Sequence, residues 1–319
     1  NSVVITASDG TASVNDSFTI TVANTNDDPT GTVSITGTAQ EDQVLGIANN
    51  LADEDGIGTF SYQWSRAGTA LTGETSLTYT LGQSDVGSTI TVAISYTDDH
   101  GTAESVTSSA TSTVQNVNDD ASVAISGTAT EDQVLTATVT DEDGATGTIT
   151  YTWKRAGTAI TGATSSTYTL VQADVGSAIT VYVSFTDDQS NGETATSDAT
   201  SSVANVNDDP TGSVTISGTA TEDQVLTAAN TLADEDVLGT ISYQWKRAGT
   251  AISGATSSTY TLTQSDVGSA ITVTASYTDG QNTAESSTSA ATSSVANVND
   301  DPTGSVVISG TATEDQVLS

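Results

Sequence analysis

The chain contains no cysteine and no methionine, three prolines, one histidine and only five basic residues against 40 acidic ones, leaving a formal net charge of −35 over 319 residues. Without cysteine there is no disulfide framework, thiol nucleophile or thiolate metal site, and cysteine usage gives no clue to compartment. Five cations in such a field cannot assemble a positive surface, so nucleic acid and anionic lipid are not expected as partners. No apolar run approaches the roughly 20 residues that span a bilayer, so no membrane insertion is expected in this segment. No signal-peptide pattern opens the chain and it does not begin with Met, so it reads as a window cut from something longer. Gly-rich phosphate loops, zinc signatures and Ser–His arrangements are missing too, and no enzyme is expected.

What is present is patterned. Only 14% of residues are charged while 35% are hydrophobic, and the hydrophobics alternate with polar residues, which argues against a disordered acidic chain. Asn-Asp-Asp recurs at Asn26, Asn118, Asn207 and Asn299, at spacings of 92, 89 and 92. Glu-Asp-Gln-Val-Leu recurs at Glu41, Glu131, Glu222 and Glu314, Asp-Glu-Asp at Asp53, Asp141 and Asp234, and Asp-Val-Gly at Asp85, Asp174 and Asp266. A single Trp marks each unit, at Trp64, Trp153 and Trp245. A period of about ninety residues suits one small domain per repeat and is too long for a solenoid turn. The expected division is three β-sandwich repeats at 27–118, 119–207 and 208–299. Residues 300–319 begin a further copy, and 1–26 form the C-terminal part of a preceding domain of different sequence.

Inside each unit the hydrophobic period is two. Phe60, Tyr62 and Trp64 alternate with polar residues, as do Ile90, Val92, Ile94 and Tyr96, Val33 and Ile35, and Val214 and Ile216. Such alternation specifies strands with one wet and one buried face. Gly, Asn and Asp clusters punctuate them, and no helical stripe is sustained. Six or seven short strands per unit predict an all-β chain, a tandem array of antiparallel sandwiches. The Trp residues share strand parity with a Tyr, which assigns them to the core rather than to a sugar-stacking surface. All five cations, Arg66, Lys154, Arg155, Lys246 and Arg247, follow the Trp residues directly and are expected at exposed strand ends. His100 is matched by Gln189 and Gln281, which argues against a catalytic or metal role for it.

The segment Ile241–Asp279 resembles the immunoglobulin-like modules of bacterial surface proteins. Ser242-Tyr243-Gln244-Trp245 is similar to the strand whose Trp fills the sandwich centre, and Ser265-Asp266-Val267-Gly268 to the turn entering the next-to-last strand. No Cys pair exists, and Ile271 and Val273 stand where an antibody domain has its corner Tyr and second Cys.

The acidic clusters resemble the calcium motifs of cadherin-like domains, in the same order along the chain. Asn205-Val206-Asn207-Asp208-Asp209-Pro210 is similar to the cadherin linker Asp-x-Asn-Asp-x-Pro, Thr130-Glu131-Asp132 to its first-strand Glu, Asp234-Glu235-Asp236 to its Asp-x-Asp pair, and Asp279 to its later Asp. The resemblance implies a calcium site at that junction from Glu131, Asn205, Asn207, Asp208, Asp234, Asp236 and Asp279. At the junction before it the set is Glu41, Asn116, Asn118, Asp119, Asp141, Asp143 and Asp187. At the first, Asn24, Asn26, Asp27, Asp53, Asp55 and Asp98 are available and the upstream Glu lies outside the chain. At the last, Glu222, Asn297, Asn299 and Asp300 remain. The cadherin Asp-Arg-Glu element is missing and the first linker acid is Asn, which implies fewer or weaker ions per junction.

The chemistry points the same way. Calcium takes about six to eight oxygen ligands from carboxylates, amides and carbonyls. Two carboxylates about 4 Å apart at an effective dielectric near 20 repel by about 4 kcal/mol, so several of them converging need a cation. Pro29, Pro210 and Pro302 all sit in the linkers, where a fixed φ stiffens the connection, while Ala121 replaces Pro at the second junction.

Over its whole length the chain is similar to the extender repeats of giant, type I-secreted bacterial surface adhesins of the biofilm-associated kind. That resemblance implies a calcium-stiffened stalk at the bacterial cell surface, extracellular, whose partners are neighbouring repeats of the same chain and, in a fibril, identical chains. The alternative is a subunit of a self-assembling extracellular filament in which the 300–319 stub of one chain completes the 1–26 hairpin of another by strand addition. A third class, a carbohydrate-binding or hydrolytic array, would need paired acids facing a cleft rather than clustered at unit ends.

Overall fold

A computed structural model describes residues 2–315 and Val317. Asn1 of the 1–26 segment, and Gln316, Leu318 and Ser319 of the copy beginning at 300, lie outside the described residues. By internal contacts the chain divides into two compact units, residues 1–124, 138–151 and 182–197 in one and 125–137, 152–181 and 198–319 in the other. The division runs through the second repeat.

The first unit opens with an antiparallel hairpin, β1 (Ser2–Ser8) and β2 (Ser13–Thr19), in register from Ser2 opposite Thr19 to Ser8 opposite Ser13. Its apolar side chains, among them Val4, Ile5, Val14 and Phe18, are exposed. Seven strands follow: β3 (Val33–Thr36), β4 (Val44–Asn49), β5 (Ser61–Arg66), β6 (Thr69–Ala70), β7 (Thr78–Thr80), β8 (Ile90–Thr97) and β9 (Ala103–Thr107). They form two antiparallel sheets, ordered β3-β4-β7 and β6-β5-β8-β9.

Period-two patterning closes these sheets on one another. Ile90, Val92, Ile94 and Tyr96 of β8 are all buried while the residues between them are partly wet, which is what one dry sheet face requires. Trp64 on β5 is fully buried and stacks on Tyr79 of the opposite sheet at 5.6 Å, and its indole N–H donates to the Ser76 carbonyl at 2.9 Å. Leu45, Leu81, Val33 and Val114 complete the core. The Trp is therefore core, as its strand parity implies, and truncating it to Ala would cost about 3–5 kcal/mol.

The same strand series returns twice. The second comprises β10 (Ser122–Ser126), β11 (Val134–Thr140), β12 (Thr150–Arg155), β13 (Thr158–Ala159), β14 (Thr167–Thr169), β15 (Ile179–Thr186) and β16 (Gly192–Thr196). Trp153, Leu135, Leu170, Ile179, Val181 and Val183 are its fully buried side chains. The third, within the second unit, comprises β17 (Val214–Ser217), β18 (Val225–Asn230), β19 (Ser242–Arg247), β20 (Thr250–Ala251), β21 (Thr259–Thr261), β22 (Ile271–Thr278) and β23 (Ala284–Thr288). Its sheets are β17-β18-β21 and β20-β19-β22-β23, closed around Trp245, Leu226, Leu262, Ile271 and Val273. The chain is an all-β array of small antiparallel sandwiches.

Three of the five cations depart from the expected solvated strand ends. Arg66, Arg155 and Arg247 each direct Nε at a buried aspartate, Asp85, Asp174 and Asp266, at 2.6, 2.7 and 2.6 Å. Each aspartate also accepts a tyrosine hydroxyl, from Tyr79 at 2.9 Å, Tyr168 at 2.8 Å and Tyr260 at 2.8 Å. A backbone N–H from Gly82, Val171 or Thr263 completes the set and closes a 3-10 turn over Gln83–Asp85, Gln172–Asp174 or Gln264–Asp266. The Asp of each Asp-Val-Gly motif is thus a polar anchor beside the Trp core. For Asp266 burial alone would raise the carboxyl pKa, but the Thr263 N–H and the Arg247 guanidinium outweigh it and hold the group below the ordinary aspartate range.

A final strap positions the linkers. Val114 and Gln115 pair in parallel with Val86 and Gln40, and the Glu41 N–H donates to the Gln115 carbonyl at 2.9 Å. Val203 and Ala204 do the same against Val175 and Thr130, and Val295 and Ala296 against Val267 and Thr221. Each strap delivers the residues that follow it beside the Glu of the Glu-Asp-Gln-Val-Leu motif. The Asp after that Glu serves the backbone: Asp42, Asp132 and Asp223 all turn at φ 62°, a left-handed conformation that Asp tolerates better than most residues.

Candidate metal centres at the linkers

Two groups of three carboxylates form where the straps end. Glu41, Asp119 and Asp143 place one oxygen each within 4.8 Å of one another, as do Glu131, Asp208 and Asp236. Each trio lies inside a single compact unit. The backbone sets both in the same way. The Val117 N–H donates to Glu41 at 3.3 Å and the Val206 N–H to Glu131 at 3.2 Å. The Asp119 N–H donates to Asp143 at 2.9 Å and the Asp208 N–H to Asp236 at 3.0 Å. Within each Asp-Glu-Asp the first Asp caps the second: the Asp143 N–H donates to Asp141 and the Asp236 N–H to Asp234, both at 2.8 Å, a local Asx turn.

These acids are crowded, and all but the half-buried Asp119 and Asp208 are dry. Glu41 and Asp143 are each 2% exposed, Glu131 is 2% exposed and Asp236 is fully buried. Burial pushes the Glu41 and Glu131 carboxyl pKa values up, the linker N–H pulls them part of the way back, and the neighbouring aspartates push them further up. Asp208 is raised by burial and then by Asp236 and Asp132. Asp141 is raised by burial and by Glu193, Asp143 and Asp187.

The orphaned oxygens show what such a site fits. Asp143 Oδ1, Asp141 Oδ2, Asn116 Oδ1 and Asn205 Oδ1 are buried without a hydrogen-bond partner. Since buried acceptors almost always have partners, a bare oxygen on Asp143 itself, and others on the linker and Asp-Glu-Asp segments that supply the trios, fit a cation. The donor set is all oxygen, carboxylate and amide, with no thiolate or imidazole in either trio, which suits a hard divalent ion such as calcium.

The other candidate residues divide. Asn118 and Asn207 turn to acids outside the expected set, donating to Glu193 at 2.9 Å and Glu285 at 3.0 Å, as Asn26 does to Glu104 at 3.0 Å. Glu193 also accepts the Ala121 N–H at 3.2 Å. These glutamates stand six residues after Asp98, Asp187 and Asp279 in each copy, a recurrence that could have identified them. Asp187 is occupied within its own loop by the Asn191 backbone and side chain, at 2.7 and 3.0 Å. Asp98 and Asp279 each cap a loop through Oδ1 and leave a buried Oδ2 bare. Asp53 and Asp234 accept the hydroxyls of Tyr96 and Tyr277, at 2.6 and 2.5 Å. At the equivalent place Phe185 has no hydroxyl, and Asp141 Oδ2 is one of the bare oxygens.

The outer linkers are less complete. The Asp27 N–H donates to Asp55 at 2.8 Å and the Asp55 N–H to Asp53 at 2.8 Å, yet Asn24, Asn26 and Asp27 are exposed. His100 Nδ1 lies 3.5 Å from Asp55 Oδ1. At the far end the Val298 N–H reaches the buried Glu222 at 3.1 Å, while Asn297, Asn299 and Asp300 are exposed. Among the described residues, a trio of carboxylates forms only at the two inner linkers.

No protein-family model matches the chain, and no curated protein matches it. Solved structures to which it is similar include three adhesion proteins. An adhesin described as Ca2+-stabilised, with which an Antarctic bacterium reaches out and binds ice, is 17% identical over 92% of this chain and 81% of that one, at a TM-score of 0.26. A 1.5-MDa bacterial ice-binding adhesin, solved for its retention at the host cell surface, is 13% identical over 86% of this chain and 100% of that one, at 0.27. A tetra-tandem repeat from the extending region of a large adhesion protein is 19% identical over 82% of this chain and 74% of that one, at 0.25.

Proposed function

We propose that this chain is a calcium-stiffened extender segment of a large bacterial surface adhesin or fibril, working outside the cell to hold an adhesive domain away from it. The mechanical units are the sandwiches at 27–118, 119–207 and 208–299, joined by the linkers that carry the acids. The observation that carries the reading is the repetition of one arrangement: Glu41, Asp119 and Asp143, then Glu131, Asp208 and Asp236, each with bare buried amide or carboxylate oxygens beside it.

The residues named span three stretches of sequence at each linker: the Glu before it, the Asp within it and the Asp-x-Asp after it. Bound calcium supplies the positive charge that makes their convergence favourable. Glu41 and Glu131 are held by linker N–H groups, Asp119 and Asp208 lie on the linkers themselves, and Asp143 and Asp236 are oriented by their Asx turns. With the charges neutralised the linker is tied at both ends. Without neutralisation, repulsion of about 4 kcal/mol per close pair at an effective dielectric near 20 drives the acids apart. Calcium abundance outside cells and scarcity inside would keep the chain pliant until export.

Small-angle scattering with calcium and with EDTA tests this. The expected result is a shorter maximum dimension and a broader distance distribution after chelation. Identical profiles in both conditions contradict a stiffening role.

A further inference from the structure

The 3-10 turn that ends in the anchored aspartate begins with a glutamine in every copy, Gln83, Gln172 and Gln264, whose side chain takes no part in the aspartate's anchor. We propose that Gln83 and Gln172 are ion ligands through their side-chain amide oxygens, at the Glu41–Asp119–Asp143 and Glu131–Asp208–Asp236 centres respectively. This rests on the calcium reading and adds to it a neutral ligand from a fourth stretch of the chain.

Three observations converge. Gln83 Oε1 and Gln172 Oε1 are both buried without a hydrogen-bond partner, like the amide oxygens of Asn116 and Asn205. The Gln172 amide touches the trio directly, with Nε2 donating to Asp236 Oδ1 at 3.0 Å. In the third copy the Gln264 amide lies 3.1 Å from Asn297 Oδ1, and with its ends exchanged its nitrogen reaches both Glu222 oxygens, at 2.8 and 3.2 Å. Asn297 and Glu222 are the counterparts of Asn205 and Glu131, so the glutamine position meets the Glu, the Asn and the Asp of the centre.

The chemistry explains the bare oxygen. Beside unneutralised carboxylates an amide turns its NH2 toward them. Half a turn about the terminal torsion, which is broad and roughly two-fold, exchanges nitrogen for oxygen. The same carboxylates then share their centre with Oε1. The turn is well placed for this. Asp174, two residues on, is locked by Arg155, Tyr168 and the Val171 N–H, so Gln172 is presented from a polar anchor beside the Trp core. Asp85 and Asp174 are therefore positioning residues for the ligands. A neutral ligand here also avoids adding a fourth negative charge, and ligand charge is what tunes calcium affinity.

The test uses the full 319-residue chain, with Gln83→Ala/Gln172→Ala and Gln83→Glu/Gln172→Glu double variants titrated with calcium chloride by calorimetry. Far-UV circular dichroism in EDTA checks that each is folded. The Ala pair is expected to bind about tenfold more weakly or worse, and the Glu pair about tenfold more tightly at neutral pH. Unchanged affinity in both pairs, with normal binding by the unaltered chain, overturns the glutamine assignment and leaves the calcium reading standing. Absence of binding by the unaltered chain overturns both. If the Ala pair fails to fold, the Glu pair alone decides: tightening supports the assignment and no change overturns it.

Discussion

Each sandwich in this chain buries acids in two places, and the two places solve the same problem differently. Asp85, Asp174 and Asp266 are at most 1% exposed, and Glu41, Glu131, Asp143 and Asp236 at most 2%, so burial does not separate them. Partners do. The first group has an arginine within 2.7 Å, a tyrosine hydroxyl and a backbone N–H. At the linkers the charges that weigh most on Glu41 and Glu131 belong to other acids. A chain with five cations and 40 acids commits three arginines to the sandwich turns. Neither linker trio is drawn against an arginine, and under the proposed function a bound cation supplies the missing charge. One set of acids is neutralised within its own sandwich; the other, under the proposed function, makes the joints depend on calcium.

The two sets of acids should respond oppositely to substitution. Asp174→Ala leaves Arg155 and the Tyr168 hydroxyl without their acceptor and should destabilise by about 3 kcal/mol in denaturant melts, equally in calcium and in EDTA. Glu131→Gln should behave in the opposite way. In EDTA it relieves repulsion and leaves stability unchanged or higher, while in calcium it should weaken binding at that centre by tenfold or more, read by calorimetry.

Acid titration sharpens the contrast, because the signs differ. Asp266 has a lowered folded pKa, so its stabilisation is fully present above the ordinary value of 3.8 and is lost only as pH falls through the lowered one. Glu41, Glu131, Asp141 and Asp208 have raised folded values. In EDTA they take up protons more readily folded than unfolded, so their cost is present above the raised values and shrinks as pH falls toward the ordinary ones. Melts in EDTA should therefore show stability at pH 5 equal to or above that at pH 7. With calcium present, where protons compete with the ion, the order should reverse.

The smallest effect concerns a difference between copies. Tyr96 and Tyr277 give their hydroxyls to Asp53 and Asp234, whereas Phe185 offers none to Asp141. Phe185→Tyr should supply the missing donor and stabilise the EDTA form by about 1 kcal/mol. A loss of stability would show that a hydroxyl at this position cannot reach the bare Asp141 oxygen.

The fold was legible because its determinants are local. The alternation at Ile90, Val92, Ile94 and Tyr96 is the buried face of β8, and each Trp sits where strand parity puts it. The candidate centres were legible only through repetition. One Asp-x-Asp reads as a turn, but Glu41, Asp119 and Asp143 reappear as Glu131, Asp208 and Asp236. What stayed hidden needed three dimensions. Arg66 and Asp85 lie 19 residues apart and meet because β5 and the 3-10 turn share one end of a sandwich. Glu104, Glu193 and Glu285 sit in ordinary strand contexts and matter only because the linker asparagines return to them. Asn118 and Asn207 are in the linker motif, and their amide NH2 groups are given to Glu193 and Glu285.

The most direct test of the account is calorimetric titration of the full chain with calcium after exhaustive chelation. Two inner trios predict saturable binding of at least two ions, accompanied by a rise in melting temperature that Glu41→Gln/Glu131→Gln abolishes. No saturable heat at millimolar calcium, or a melting temperature indifferent to the ion, would contradict it.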